Sequence, residues 1–359
     1  MSDDREAVVL DRIEAFRRRR PRLLDDVITL AHGAGGKASA ALIDAVFVEA
    51  FASGEPAPLT DAATPALPTG ERLAFSTDSF VVQPRHFPGG SIGHLAVHGT
   101  VNDLAVMGAR PMCLSAAFVI EEGFEIAELR VIVEHMAAAA AAAGVGIVTG
   151  DTKVVGKGAA DGMYITTAGV GTIPADRRLG AELVQPDDVV LISGTLADHG
   201  MAVMLARGDL ALDADIRSDT APLADLIDRV LEAAPSTRWM RDPTRGGVAT
   251  VCNELAGDIG MAILLDESAL PIDAAVVGAC DLLGIDPLYV ANEGKVVVVV
   301  PPDEADAALA AMRAHPLGVA ASRIGEVRPE PERLVVLRTT FGGTRIVDML
   351  VGDPLPRIC

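Results

Sequence analysis

GTVNDLAVMGARP, residues 99–111, is the stretch on which the fold turns. Apolar residues surround Asn102 and Asp103, two poor helix formers side by side in what otherwise reads as one apolar helix over 91–108. A strand over 112–120 follows. Outward from here the alternation continues: strand 71–83 before it, then helix 125–143 and strands 145–150 and 162–172 after it. Good helix formers fill 125–143, and Gly144 closes that helix. QPDD at 185–188 reads as a turn opening a second unit. There the strand DDVVLISG leads to helices 199–207 and 220–234 and a helix ending at Ile259, followed by the strand MAILLDES. Helix 272–283, strand GKVVVVVP, helix 303–314 and strand ASRIGEV complete it. Strands alternating with helices in both halves indicate two α/β or α+β domains, and 359 residues suit two of ordinary size.

Half the residues are hydrophobic, so a packed core is well supplied, mostly by Ala, Val, Leu and Ile. A net charge of −20 argues against nucleic acid or an anionic membrane as the main partner. The basic run Arg17–Arg20 with Arg22 reads first as a solvated N-terminal helix over 1–28, and only second as a docking patch. Residues 52–70 are a Pro/Ala/Gly-rich surface loop. No signal peptide or bilayer-length apolar segment is evident, so the expected location is cytoplasmic, with thiols reduced. Of the four cysteines, Cys113 and Cys280 lie in apolar runs and read as small core residues. Cys359 is the last residue, in LPRIC, where a thiol serves no core and reads as a handle or substrate.

Four constellations carry chemistry. In AHGAGGKAS, residues 31–39, His32, Gly35, Gly36 and Lys37 open a helix pattern. That is a phosphate cradle or an ordinary capped loop with equal weight, and it lacks Walker A spacing. Asp78, Asp103 and Asp151 each read alone as a turn or cap; together with Asn102 they suit Mg²⁺, which takes hard oxygen ligands shared with nucleotide phosphates. Asp151 is expected at the C-terminal end of a buried strand, with Thr152 and Lys153 just beyond it. In MRDPTRGGVATVCNELA, 240–256, a turn enters a helix, and Arg241 and Arg245 can fork onto phosphate or carboxylate beside Asp242. Glu293, in ANEGK, by itself reads first as a strand-edge charge and second as a base.

With HGAGG, FSTDSFVV, FPGG, GTVNDLAVMGARP, GDTKVV, DHGMAVM, MRDPTRGGVA, NEGK and LPRIC in hand, residues from about 28 to 359 closely resemble the HypE family of hydrogenase maturation factors. That family lies within the aminoimidazole-ribonucleotide-synthetase-like (PurM-like) superfamily. Two departures stand out: Ser91 follows FPGG where an acidic residue is expected, and Ala197 precedes Asp198 where glycine is expected. The resemblance implies an α+β two-domain PurM-like fold. Its expected divisions are an extension 1–28, an ATP-binding and dimerisation domain 29–179, a C-terminal domain 180–339, and a mobile tail 340–359.

The resemblance also implies the chemistry. HypF would load a carbamoyl group onto Cys359, and the chain would dehydrate that S-carboxamide with ATP to a thiocyanate. The cyanide would pass to the iron of a [NiFe] hydrogenase centre on the HypC–HypD complex. Asp78, Asp103 and Asp151 would hold Mg²⁺. His32, Gly35, Gly36, Lys37, Asn102, Thr152, Arg241 and Asp242 would line the nucleotide. Glu293 would be the base, with Lys153 polarising or sharing that role. A homodimer pairing through its N-terminal sheets is implied too. A relative's chemistry, phosphorylating a free small molecule, and a non-catalytic cyanide or metal carrier switched by ATP remain the competing readings.

Overall fold

The computed structural model describes residues 36–48, 72–208 and 214–350. The N-terminal arginine run, the 52–70 loop, His32, Gly35 and Cys359 lie outside the described residues. The chain divides into two compact units, residues 1–58 with 349–354, and residues 59–348 with 355–359. In the smaller unit a short helix, α1 (Lys37–Leu42), continues into a π-helical turn, Ile43–Val48. Its first backbone N–H, on Lys37, donates to the Leu350 carbonyl at 3.4 Å.

The larger unit begins with β1 (Arg72–Phe80) and a small hairpin of β2 (His86–Phe87) and β3 (Gly90–Ser91), which feeds α2 (Ile92–Val106). Next come β4 (Arg110–Glu121), α3 (Ile126–Ala142), β5 (Gly146–Val155) and β6 (Met163–Ile173). These strands form one sheet in the order β1-β6-β4-β5. β4 and β5 run parallel, joined by the α3 crossover, and the other pairs are antiparallel. Along β1, Ala74, Ser76 and Phe80 are buried while Phe75, Thr77 and Ser79 are exposed. This alternation puts Ser76 and Asp78 on the face toward α2.

The second half contains β7 (Val189–Ile192), α4 (Asp198–Ala206), α5 (Ala224–Ala233), β8 (Trp239–Arg241), α6 (Gly247–Ile259) and β9 (Ala262–Asp266). It continues with α7 (Ala274–Leu283), β10 (Val297–Val300), α8 (Ala305–Arg313), β11 (Ser322–Arg328), β12 (Val335–Arg338) and β13 (Thr344–Val347). Seven strands form the sheet β13-β12-β9-β11-β7-β10-β8. The valine run of β10 is buried on both faces. Val297 and Val299 pack with Val248, Cys252 and Leu255 of α6, while Val298 and Val300 pack with α5 and α8. The division expected at 179/180 falls between the two sheets, inside one compact unit.

Several expectations need correction. β5 extends to Val155, and all but the last of its ten residues are exposed, so it is an edge strand and not a buried one. Asp151, Thr152 and Lys153 therefore lie within the strand and not past its end. The stretch beyond 340, expected as a tail, supplies the paired strand β13. Strands β8, β12 and β13 escaped notice because three or four residues are too few to establish a two-residue period. Cys280 is buried as expected, but Cys113 is only half-buried, beside a register shift in β4.

α2 holds the two halves together. Thirteen of its fifteen residues are buried, which makes it a helix apolar on every side rather than a surface helix. Ile92, Leu95 and Val101 join a core that reaches Met201 of α4 and Val276 of α7. Ala105 and Val106 join the core of α5 and β10. Close approach to β1 depends on Gly99, where a Cβ would lie 2.8 Å from Phe80 Cζ and 3.4 Å from Asp78 Oδ2. Gly→Ala inside a helix ordinarily gains about 1 kcal/mol. Gly99→Ala is expected instead to lose about 1–3 kcal/mol through overpacking, read as a lower unfolding midpoint.

Candidate active site

Asp78 and Asp103 meet where α2 crosses β1. Their carboxyl groups share a hydrogen bond, and the Ser76 hydroxyl donates to Asp103 Oδ2 at 2.6 Å. Burial pushes the Asp78 carboxyl above its ordinary value, opposed by the Arg245 guanidinium and the Asp103 hydrogen bond. Arg245 comes from the turn after β8, so the second half supplies a cation to a carboxylate pair held by the first.

Asn102, next to Asp103, corrects an expectation. It is buried, and its amide is committed to the backbone of the second half. Nδ2 donates to the Ala221 carbonyl at 3.0 Å and the Glu293 carbonyl at 3.3 Å, while Oδ1 accepts from Leu223 N at 2.8 Å. That is a structural tie and not a nucleotide ligand. It also explains why the helix expected from 220 starts only at Ala224.

Glu293 is the most perturbed group of the site. It is buried, and its carboxyl is pushed well above the ordinary range, first by burial and then by Asp219, Asp242 and Asp78; Arg245 opposes them. The neighbouring Asn292 fixes the loop that carries it. Its Oδ1 accepts from Ala197 N at 2.8 Å, and its Nδ2 donates to the Pro243 carbonyl at 3.0 Å and the Val290 carbonyl at 3.2 Å. Ala197 sits in the left-handed region at φ 71, where an L side chain costs roughly 1–2 kcal/mol. Glycine would fit there freely, and the Asn292 bond holds the alanine in place. The other departure, Ser91, has a partner of its own: its hydroxyl lies 3.0 Å from His94 Nδ1 and 2.9 Å from His135 Nδ1.

The structure thus brings together Asp78, Asp103, Asp242 and Glu293 with Arg245. It leaves out others. β5 lies three strands from β1, about 14 Å at about 4.8 Å per strand, so Asp151, Thr152 and Lys153 do not reach this cluster within one chain. Arg241 turns away from Asp242, as successive residues of an extended segment do, and lies 3.4 Å from Glu254. Gly36 and Lys37 belong to the smaller unit. Among the described residues no three His, Cys, Asp or Glu side chains group as a metal site. Asp219 and Lys295 escaped the sequence reading, although Ser218-Asp219-Thr220 repeats the hydroxyl-flanked pattern of Thr77-Asp78-Ser79 and Lys295 closes the NEGK motif.

Residues 59–173 match the model of the AIR synthase related protein N-terminal domain, and residues 185–337 match that of its C-terminal domain. Carbamoyl dehydratase HypE of Rhodobacter capsulatus is 57% identical over 340 residues, 94% of this chain and 99% of that protein. The chain belongs to the HypE family. Among HypE structures, one in complex with HypF superposes with a TM-score of 0.81 at 48% identity, over 86% of this chain and all of that one. A HypE in complex with ATP gives 0.77 at 43% identity, over 93% and 100% of the two chains. The motif resemblance is thereby a family membership, and the HypE fold accounts for both sheets.

A carboxyl raised by burial makes folding weaker as pH rises, because the unfolded chain ionises it freely while the folded chain does not. Its stability contribution is full below the ordinary value of 4.5 and is lost as pH climbs through the raised folded value. Glu293→Gln is therefore expected to melt higher than the wild type at pH 8, with the gap closing toward pH 5 in thermal unfolding.

Proposed function

We infer that this chain is an ATP-dependent carbamoyl dehydratase whose substrate is an S-carboxamide on its own Cys359, and that it supplies the cyanide ligand for [NiFe] hydrogenase maturation. The observation that carries this reading is the buried Glu293 carboxyl set against the Asp78–Asp103 pair, in a chain of the HypE family. An amide oxygen is too poor a leaving group for direct dehydration. The carboxamide oxygen attacks the γ-phosphorus of ATP and ADP departs; one N–H proton is released to solvent, leaving an imidoyl phosphate with a single N–H. Loss of the remaining N–H proton then forms the C≡N bond as the C–O bond breaks and phosphate leaves. Glu293 takes that proton; a carboxylate of raised pKa is the stronger base, and such help is worth roughly 10²–10⁴-fold. Arg245 stands where phosphate charge would be neutralised.

The donor set fits Mg²⁺: two adjoining carboxylates and a hydroxyl, one carboxyl raised by burial, on hard oxygen ligands. Asp78 and Asp103 would hold it together with phosphate oxygens, which needs no third protein carboxylate in the same chain. When bound, the cation would neutralise charge developing on the transferred phosphoryl group.

Cys359 as the carrier thiol is supported by two of the three other cysteines. Burial pushes the Cys252 thiol up to about 12 and Cys280 up to about 11, so neither competes as a nucleophile. Eleven residues follow Asp348, a reach of at most about 36 Å at about 3.3 Å per residue. HypF is proposed as the carbamoyl donor, because a relative 48% identical was solved with it. The HypC–HypD complex would accept the cyanide, in the cytoplasm.

A homodimer completes the proposal. The β5 edge exposes Val148 and Val154 at 67% and 65%, and Phe75 and Met112 lie open on the same sheet. An exposed edge strand of ten residues invites a partner strand. Pairing the sheets of two copies would also offer Asp151, Thr152 and Lys153 a neighbour's site. Val148→Lys with Val154→Lys is expected to convert a dimer into a monomer by light scattering; a monomeric wild type would reject this part.

The activity test is intact-mass analysis of the carbamoylated chain with Mg-ATP. Loss of one water's mass at Cys359, with one ADP formed, is expected. ATP hydrolysis without that loss would leave only the carrier reading, and turnover of a free substrate by Cys359→Ala would favour the small-molecule reading.

A further inference from the structure

Beside Glu293 lies a buried ion pair that the reaction as described does not use. Lys295 Nζ is 2.9 Å from Asp219 Oδ2, with side-chain exposures of 9% and 4%. The other oxygen of Asp219 accepts the backbone N–H of Glu293 at 3.1 Å. One carboxylate therefore grips the NEGK segment on both sides of Gly294. The packing there is tight, since a Cβ on Gly294 would lie 1.9 Å from the Asp219 carbonyl oxygen.

A buried ion pair is a poor source of stability, because desolvation offsets most of its attraction and a matched apolar pair does as well. What it supplies here is a fixed charge and a fixed backbone next to a reacting carboxyl. Burial would push Asp219 up, but Lys295, then His199 and the Glu293 N–H, outweigh it and hold the carboxyl below its ordinary value. Asp219 thus stays ionised. Asp198 also stands near it. Around Glu293 the facing charges are Asp219, Asp242, Asp78 and Arg245.

We propose that Asp219 is a positioning residue for proton transfer at Glu293, gripping its backbone and Lys295 so that the Glu293 carboxyl stays among Asp78, Asp242 and Arg245. This rests on the reading of Glu293 as the proton acceptor.

The test is single-turnover dehydration of the carbamoylated full chain with Mg-ATP across pH, for wild type, Asp219→Asn, Asp219→Glu, Asp219→Asn with Lys295→Met, and Glu293→Gln. Misplacing a reacting group costs on the order of 10²-fold, so Asp219→Asn is expected to slow the step by about that factor with the KM for ATP little changed. The rising limb of the rate profile should move to lower pH, because a charge that raises Glu293 is gone. The double variant leaves no unpaired lysine and retains an amide oxygen for the Glu293 N–H, so it keeps the fold while showing the same shift. Asp219→Glu should restore part of the rate. A rate loss that merely follows the melting temperature, with the limb unmoved in both Asn variants, overturns the proposal. So does a wild-type rate and limb in the double variant while Glu293→Gln is inactive, and this outcome leaves the Glu293 reading standing. A wild-type rate in Glu293→Gln removes that reading and this inference with it.

Discussion

The amide of Asn102 ties the two halves of the larger unit to each other. It sits on a helix buried on all sides and bonds three backbone groups that lie 119 to 191 residues away in sequence. An Asn inside an apolar helix is costly unless every polar atom is satisfied. Here the second half of the chain satisfies them, so the helix and the loops at 221–223 and 293 have only one good way to meet. Asp103, one residue along, is thereby delivered to β1 and Asp78, and the Glu293 loop is tied to the same helix.

The electrostatics follow from that meeting. Four carboxyl groups from β1, the 219 loop, the 242 turn and the 293 loop converge in a space with little water, and Arg245 is the cation that opposes them. Like charges brought together without solvent favour the proton on one of them, and Glu293, the most buried, takes it. A carboxyl raised this way is, once ionised, the stronger base, which suits a reaction whose difficult step is removal of an N–H proton. The same arrangement weakens the fold at high pH, a common relation between site and stability.

Much of the fold was legible because the long elements have clear periods. The apolar helix around Asn102, the alanine-rich α3 and the valine run of β10 each declare themselves through composition. The short strands β8 and β13 do not, and the status of β5 could not be read from residues alone. GIVTG looks like a buried strand, and only its place at the edge of the sheet exposes it. The site divides in the same way. Asp103 stands out as a charge in an apolar helix, Asp78 gains weight only as one of a set, and Glu293 alone reads first as a strand-edge charge. Asn102 stands out beside Asp103 but ties backbone rather than nucleotide, a distinction that depends on what lies across the helix. Asp219 carries only the weak signal of its hydroxyl-flanked pattern, because its importance comes from Lys295 and Glu293, more than seventy residues downstream.

The junction of the two halves raises the Glu293 carboxyl well above the usual carboxylate range. Infrared difference spectroscopy of the protonated-carboxyl band, titrated in the wild type and in Glu293→Gln, measures this directly. A band that survives well above pH 4.5 and is absent from Glu293→Gln is the result expected. A Glu293 carboxyl that ionises near pH 4.5 would mean that the junction does not perturb it.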